Sequence, residues 1–153
     1  HPDIFLGDNI MNADQVDDIK SSYELDTFMP KLIESVDKSY EAQMNVYYDL
    51  CNCQGGNLVY YLVDCPESVL ENEKKKLLYS MNVISEISPE YLIAVAELEK
   101  LLLFPDIDYR ERVIKINVPR NDELIQKMKD KVPVLRQWLQ DFHEKHMNLY
   151  PKN

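Results

Sequence analysis

The sequence predicts a mostly α-helical fold, an irregular bundle of about five helices. Three observations lead to this prediction. Only 3 of the 153 residues are glycine, whereas all-β folds depend on glycine at their tight turns. Apolar residues recur at alternating steps of three and four over several long stretches, as they do on one face of a helix. Residues typical of helix N-caps precede those stretches.

The chain length predicts one domain, residues 12–150, preceded by a flexible N-terminal arm, residues 1–11. The arm is polar and contains Pro2 and Gly7, neither of which favours a regular element. No repeat and no low-complexity linker divides the rest of the chain.

The first two helices follow from their caps. Asn12 and Gln15 match a capping box, which predicts a short helix over residues 13–23. Thr27 can cap a second, longer helix that extends to Cys51. The apolar residues of this second helix share one stripe: Met29, Ile33, Val36, Tyr40, Met44, Tyr47 and Cys51.

Three further helices are predicted in the second half of the chain. Pro66 suits the first turn of the third helix, Ser88 caps the fourth and Asn121 caps the last. The last helix carries a heptad-like apolar seam: Met128, Val132, Leu135, Leu139, Phe142 and His146. Pro133 is expected to kink or break it.

Two segments carry strand signals, and their assignment stays open at this point. Residues 57–63 are β-branched and aromatic and lie between glycine and proline, which suits a buried strand or another helical turn. Residues 113–118 alternate apolar and polar side chains, although residues 109–116 could also be helical. Paired together, the two segments would form a small two-stranded β-ribbon packed on the helices.

Charge and composition predict which partners are absent. The net charge is -10 and the pI is about 4.7, so the chain lacks the overall basic character of a nucleic-acid or anionic-membrane binder. The apolar run at residues 101–104 is too short for a membrane span. Glycine is too scarce for a phosphate-binding loop. We therefore predict no nucleic acid, no membrane and no cofactor as a partner.

No catalytic or metal-ligating residue is predicted. The cysteines Cys51, Cys53 and Cys65 have no nearby histidine, so they lack the fourth ligand of a structural zinc site and are expected as buried thiols or as a disulfide with one thiol left over. His143 and His146 are spaced i and i+3, which does not match the zinc-protease helix.

The cysteine count also bears on localisation. An odd number of cysteines and the lack of any Asn-x-Ser/Thr sequence favour an intracellular compartment, cytoplasmic or nuclear. A signal peptide removed before His1 would instead make the protein secreted.

The function predicted by exclusion is a protein–protein interaction module, not an enzyme: a subunit, adaptor, regulatory or effector domain that presents a helical surface or groove. Its partner would be another protein, with a basic or apolar helical segment, or a second copy of the chain. Tyrosine outnumbers phenylalanine 10 to 4, and tyrosine favours surfaces that become buried on binding. The predicted partner-binding residues are Tyr47, Tyr48, Tyr60, Tyr61 and Trp138.

Two alternatives stay open. One is a helical carrier or sensor of a small apolar ligand, which would need an enclosed cavity between helices. The other is an enzyme that uses the paired carboxylates of Asp106 and Asp108, or a cysteine thiolate.

Overall fold

A mixed four-stranded β-sheet organises the chain in the computed structural model, which describes residues 1–83 and 85–147. The strands, in their order across the sheet, are β1 (Ile4–Leu6), β2 (Gln15–Ser22), β3 (Gly55–Leu62) and β4 (Val113–Pro119). The two central strands, β2 and β3, run parallel, and each edge strand runs antiparallel to its neighbour.

Helices connect the strands and extend beyond them. The α-helices of the described residues are α1 (Leu25–Phe28), α2 (Lys38–Leu50), α3 (Glu67–Ser80), α4 (Pro89–Leu102) and α5 (Asp122–Met147). The crossover from β2 to β3 contains α1 and α2, whereas α3 and α4 pack on each other between β3 and β4. The start of α5 packs on α2, and residues 129–145 of this helix are exposed. None of the helices in this part of the chain has the length and hydropathy needed to cross a membrane.

The prediction of a mostly α-helical bundle with a two-stranded ribbon is wrong. The segment predicted as the first helix, residues 13–23, is mostly β2. A capping-box pattern is a weak local signal, whereas β2 pairs with β1 on one side and with β3 along its length from Val16 to Ser22 on the other. The backbone hydrogen bonds of this segment are therefore made to distant residues, which the local sequence does not reveal.

The second predicted helix is also wrong in extent. Its first part forms α1 and a single 3-10 turn, and the chain becomes helical again only at Lys38. Asp37 provides the cap there, because its carboxylate accepts a hydrogen bond from the backbone N–H of Ser39 at 2.7 Å. Residues 1–11, expected as a flexible arm, include β1. The end of the predicted domain, residues 148–150, lies outside the described residues.

For two segments the structure decides between the alternatives that the sequence left open. Residues 57–63 and 113–118 fall largely in β3 and β4 and pair with each other, within a four-stranded sheet and not a two-stranded ribbon.

The predicted caps of the last two helices are confirmed. Ser88 caps α4 through a 3.3 Å hydrogen bond from Tyr91 N–H, and Asn121 caps α5 through a 3.0 Å bond from Leu124 N–H. No break occurs at Pro133, because α5 is continuous through that residue.

The core lies between α2 and one face of the sheet. Val16 of β2 and Leu58 of β3 contribute from the sheet, and Met44 and Tyr48 contribute from α2; all four are almost fully buried. The hydroxyl of Tyr48 donates a 2.7 Å hydrogen bond to the carbonyl of Val118 on β4. Helix α2 is thereby attached to the sheet, and the residues that follow Val16 on the same face of β2 lie under this helix.

Removing this hydrogen bond tests the attachment. Tyr48→Phe is expected to lower the free energy of unfolding by about 1 kcal/mol, because a buried hydrogen bond is lost while the ring is kept. Burial raises the pKa of Tyr48, so its hydroxyl is a protonated donor throughout the neutral range. Tyr79→Phe is the control, since Tyr79 is 80% exposed. Urea unfolding followed by circular dichroism measures both, and equal midpoints would contradict the expected role of Tyr48.

Candidate active site

A carboxylate and a lysine form an ion pair on β2, on the face that packs against α2. Asp18 and Lys20 are two residues apart in a strand, so their side chains point to the same side of the sheet. Asp18 is only 3% exposed, and its Oδ2 lies 2.6 Å from Lys20 Nζ. Apart from this ion pair, Asp18 Oδ2 accepts no well-aligned hydrogen bond from the described residues.

Helix α2 supplies a bridging amide to this pair. Gln43 Oε1 accepts a hydrogen bond from Lys20 Nζ at 3.3 Å, and Gln43 Nε2 donates to Asp18 Oδ1 at 3.3 Å. The same Nε2 donates to the hydroxyl of Tyr47 at 2.7 Å. Gln43 and Tyr47 are four residues apart and therefore share one face of α2. The amide thus contacts both members of the ion pair and limits their movement.

A second carboxylate lies on the residue that precedes the edge strand β1. The β1–β2 register pairs Ile4 with Asp17, so Asp3, one residue before Ile4, is placed next to the Asp18–Ile19 segment of β2. Asp3 is exposed, and its Oδ2 accepts a 2.8 Å hydrogen bond from the backbone N–H of Ile19. A buried carboxylate on β2 and an exposed carboxylate just before β1 therefore lie on neighbouring segments at this edge of the sheet.

The environment of Lys20 keeps its side chain charged. Burial by itself lowers the pKa of Lys20, but the hydrogen bond to Asp18 and the charge of that carboxylate outweigh burial, so the pKa of Lys20 lies above its usual value. Lys20 is consequently an ammonium group at neutral pH. It can donate hydrogen bonds and stabilise negative charge, but it cannot accept a proton from a nucleophile.

The other face of β2 carries a separate polar cluster. Asp17 Oδ1 accepts hydrogen bonds from the backbone and side-chain amides of Asn57, at 3.0 and 2.7 Å, and Asp17 Oδ2 lies 3.5 Å from Lys115 Nζ. These contacts join β2, β3 and β4. Like the Asp18–Lys20 pair, this cluster contains an aspartate and a lysine, but on the other face of the sheet. Asp17 and Lys115 are therefore matched controls for substitutions of Asp18 and Lys20.

The structure separates the residues that the sequence suggested as a partner surface. Tyr47 belongs to the site just described, Tyr60 is buried next to Lys20, and Tyr48 lies in the core. Tyr61 is half-buried, and Trp138 is exposed on α5, where it stacks on Phe142. Their role in binding a partner stays a prediction.

The remaining sequence candidates do not join the site. The three cysteines are buried free thiols. Asp106 and Asp108 lie in an exposed loop, where Asp108 accepts a 2.8 Å hydrogen bond from Arg110 N–H. His143 and His146 lie near the C-terminal end of α5. Within the described part of the chain, no group of three or more His, Cys, Asp or Glu side chains is arranged to hold a metal ion.

Asp3, Asp18, Lys20 and Gln43 were not predicted from the sequence. A helix over residues 13–23 would place Asp18 and Lys20 on different faces, whereas a strand places them together. The signal was present as the spacing of Val16, Asp18 and Lys20, two residues apart throughout, but it is meaningful only once β2 is known to be a strand.

The fold is similar to that of a phage-related exonuclease. The solved structure of that protein, from Haemophilus somnus, aligns with a TM-score of 0.57 and 18% sequence identity over 86% of this chain and 52% of its own. The chain therefore spans about half of the exonuclease chain that it matches. No protein-family model matches the sequence, and no curated protein matches it either.

This similarity corrects the functional predictions. The sequence predicted a non-enzymatic interaction module, such as an all-α adaptor, with a helical carrier as an alternative. Those predictions assumed a helical bundle without a catalytic cluster. They are wrong, because the chain has an exonuclease-like α/β fold. The predicted exclusion of nucleic acid is wrong as well. It was based on the net charge, which averages over the whole surface and does not describe a local site.

Proposed function

We propose that this chain is a metal-dependent nuclease domain that hydrolyses phosphodiester bonds. The observation that carries the proposal is the ion pair of buried Asp18 and partly exposed Lys20 on the sheet of an exonuclease-like fold. In such hydrolysis a water oxygen bonds to phosphorus while the ester P–O bond breaks, and the departing oxygen takes up a proton. The products are a phosphomonoester and a free hydroxyl.

The residues present fit a divalent cation such as Mg²⁺. This ion prefers oxygen ligands and is commonly held by only one or two carboxylates together with substrate phosphates. Asp18 Oδ2 is a buried carboxylate oxygen that contacts the Lys20 ammonium at 2.6 Å, and a bound cation would replace this contact. Asp3, the residue before β1, reaches the same part of β2 through its hydrogen bond from Ile19 N–H. Asp18 and Asp3 would hold the ion. When bound, it would polarise the phosphoryl group and promote deprotonation of the attacking water.

Lys20 would stabilise negative charge on the phosphate. Its ammonium group is held beside Asp18 and stays protonated, so it can donate to a phosphoryl oxygen as charge develops there. Gln43 is a positioning residue, because its amide contacts Asp18 and Lys20 at once. Tyr47 accepts from the same amide and limits its rotation.

Lys20→Gln tests the proposal. The unmodified protein is expected to release acid-soluble nucleotides from DNA in Mg²⁺, and EDTA is expected to stop the release. Lys20→Gln is expected to lower the rate roughly 10²–10³-fold, because a preorganised charge is lost. Lys115→Gln, a lysine loss on the opposite face of the sheet, is the matched control and should keep the rate.

Two results would contradict the proposal. One is a folded, unmodified protein that hydrolyses no DNA in Mg²⁺ or Mn²⁺. The other is a Lys20→Gln variant that is as active as Lys115→Gln.

A further inference from the structure

A pocket of about 310 Å³ opens next to Lys20, between α2 and the segment that contains α1. Its lining includes three aromatic rings, two lysines and one carboxylate: Phe28, Tyr40, Tyr60, Lys20, Lys31 and Asp37. Lys20 is shared with the proposed site, so whatever occupies the pocket lies next to the bond that is cut. The nuclease chemistry proposed for Asp18 and Lys20 does not involve the other residues of this pocket.

Aromatic rings form one side of the pocket. The Tyr40 ring is partly exposed, and Lys20 Nζ lies 4.8 Å from its centroid. Tyr60 pairs with Lys20 in the β2–β3 register and is largely buried behind it. A partly exposed ring beside a cation is suited to stacking on a flat, electron-rich group such as a nucleobase, and each stacked base contributes substantially to binding.

The opposite side of the pocket is polar. Lys31 pairs with Glu34 at 2.9 Å, and both side chains are solvent-accessible, so the lysine can exchange this partner for a phosphate at little cost. Stacking surface and cation are thus both available at the same pocket, which is the combination that single-stranded nucleic acids require.

The local charge of the pocket favours the same class of substrate. Its lining carries two cations, Lys20 and Lys31, and one carboxylate, Asp37, so few positive charges are available there for the backbone of a duplex. Contact with bases must therefore provide more of the affinity. In a duplex the faces of the bases are covered by their neighbours, whereas an unpaired strand exposes them.

We infer that this pocket binds the unpaired nucleotide next to the phosphodiester that is cut, with its base on Tyr40 and a phosphate near Lys31. The substrate is accordingly single-stranded DNA or a single-stranded end. This inference rests on the proposed nuclease function.

Hydrolysis of one sequence, presented either as a single strand or as a blunt duplex, tests the inference. The unmodified protein is expected to prefer the single strand. Tyr40→Ala is expected to raise KM for the single strand about tenfold or more, whereas Tyr40→Phe keeps the ring and should keep KM. Lys31→Gln leaves Tyr40, the residue packed on Lys20, unchanged, so it should raise KM severalfold at unchanged kcat. Tyr109→Ala, an exposed tyrosine outside the pocket, should change neither.

Binding is measured separately from cleavage. Fluorescence anisotropy follows a labelled strand of about ten thymidines on Asp18→Asn protein, with and without Tyr40→Ala. Weaker binding of the Tyr40→Ala protein supports the inference. Equal binding by both proteins, or a preference of the active enzyme for the duplex, overturns the inference and leaves the nuclease proposal standing. Strand binding that depends on Tyr40 without any hydrolysis would overturn the nuclease proposal but not the pocket.

Discussion

Asp18→Asn is expected to lower the rate of DNA hydrolysis by about 10³-fold or more. The substitution keeps the size of the side chain but removes the charge and one of two equivalent oxygens. The lost charge is that of the carboxylate whose Oδ2 would contact the cation. Rates measured over a range of Mg²⁺ concentrations show whether the loss lies in metal binding or persists at saturation.

Asp17→Asn is the matched control for this prediction. Asp17 is the preceding residue on β2 and is also buried, but it points to the other face and bonds to Asn57. The rate per folded molecule should stay near that of the unmodified protein, while the free energy of unfolding falls by about 1–3 kcal/mol because buried hydrogen bonds are weakened. Equal losses of rate in the two variants would show that fold, not chemistry, explains the effect.

Gly56→Ala is expected to destabilise the protein severely, by about 3–5 kcal/mol. Gly56 lies opposite Val16 where β2 and β3 pair. A Cβ at this position would lie 1.7 Å from the Val16 carbonyl oxygen and 2.8 Å from its carbonyl carbon. Both are backbone atoms, so the two central strands would have to separate. Asp18 is two residues further along β2, and hydrolysis should therefore fall as well.

Gly55→Ala provides the comparison. The nearest atom to a Cβ there is the Val118 carbonyl oxygen at 4.0 Å, an ordinary contact distance. This variant should unfold within about 1 kcal/mol of the unmodified protein, since glycine in a strand gives little stability of its own. Thermal and urea unfolding measure the stability of the Gly56→Ala and Gly55→Ala variants. Similar midpoints would mean that β2 and β3 are not paired at Val16 and Gly56.

The exclusion of nucleic acid shows how a whole-chain quantity can mislead. The net charge of -10 correctly describes the average surface. A site that holds phosphate through two carboxylates, a cation and one lysine needs no basic face, because the cation supplies the positive charge locally. The net charge of the whole chain therefore does not exclude a nucleic-acid substrate of the kind proposed.

Local features were determined by the sequence alone. The caps at Ser88 and Asn121 could be predicted because the hydrogen bonds involved join residues three positions apart. The β-branched and alternating runs likewise marked β3 and β4 as candidate strands. Each of these signals depends on side chains that lie close together in the chain.

The strand conformation of β2, and the candidate site on that strand, became known only from the tertiary structure. The strand pairs with β3 some forty residues away, as in the hydrogen bond from Asn57 to Asp17, and this pairing overrides the helix-start pattern before it. The strand conformation then sets Asp18 and Lys20 side by side, and α2 adds Gln43. The candidate site could not be predicted because its residues become neighbours through backbone pairing and helix packing, which no short-range pattern encodes.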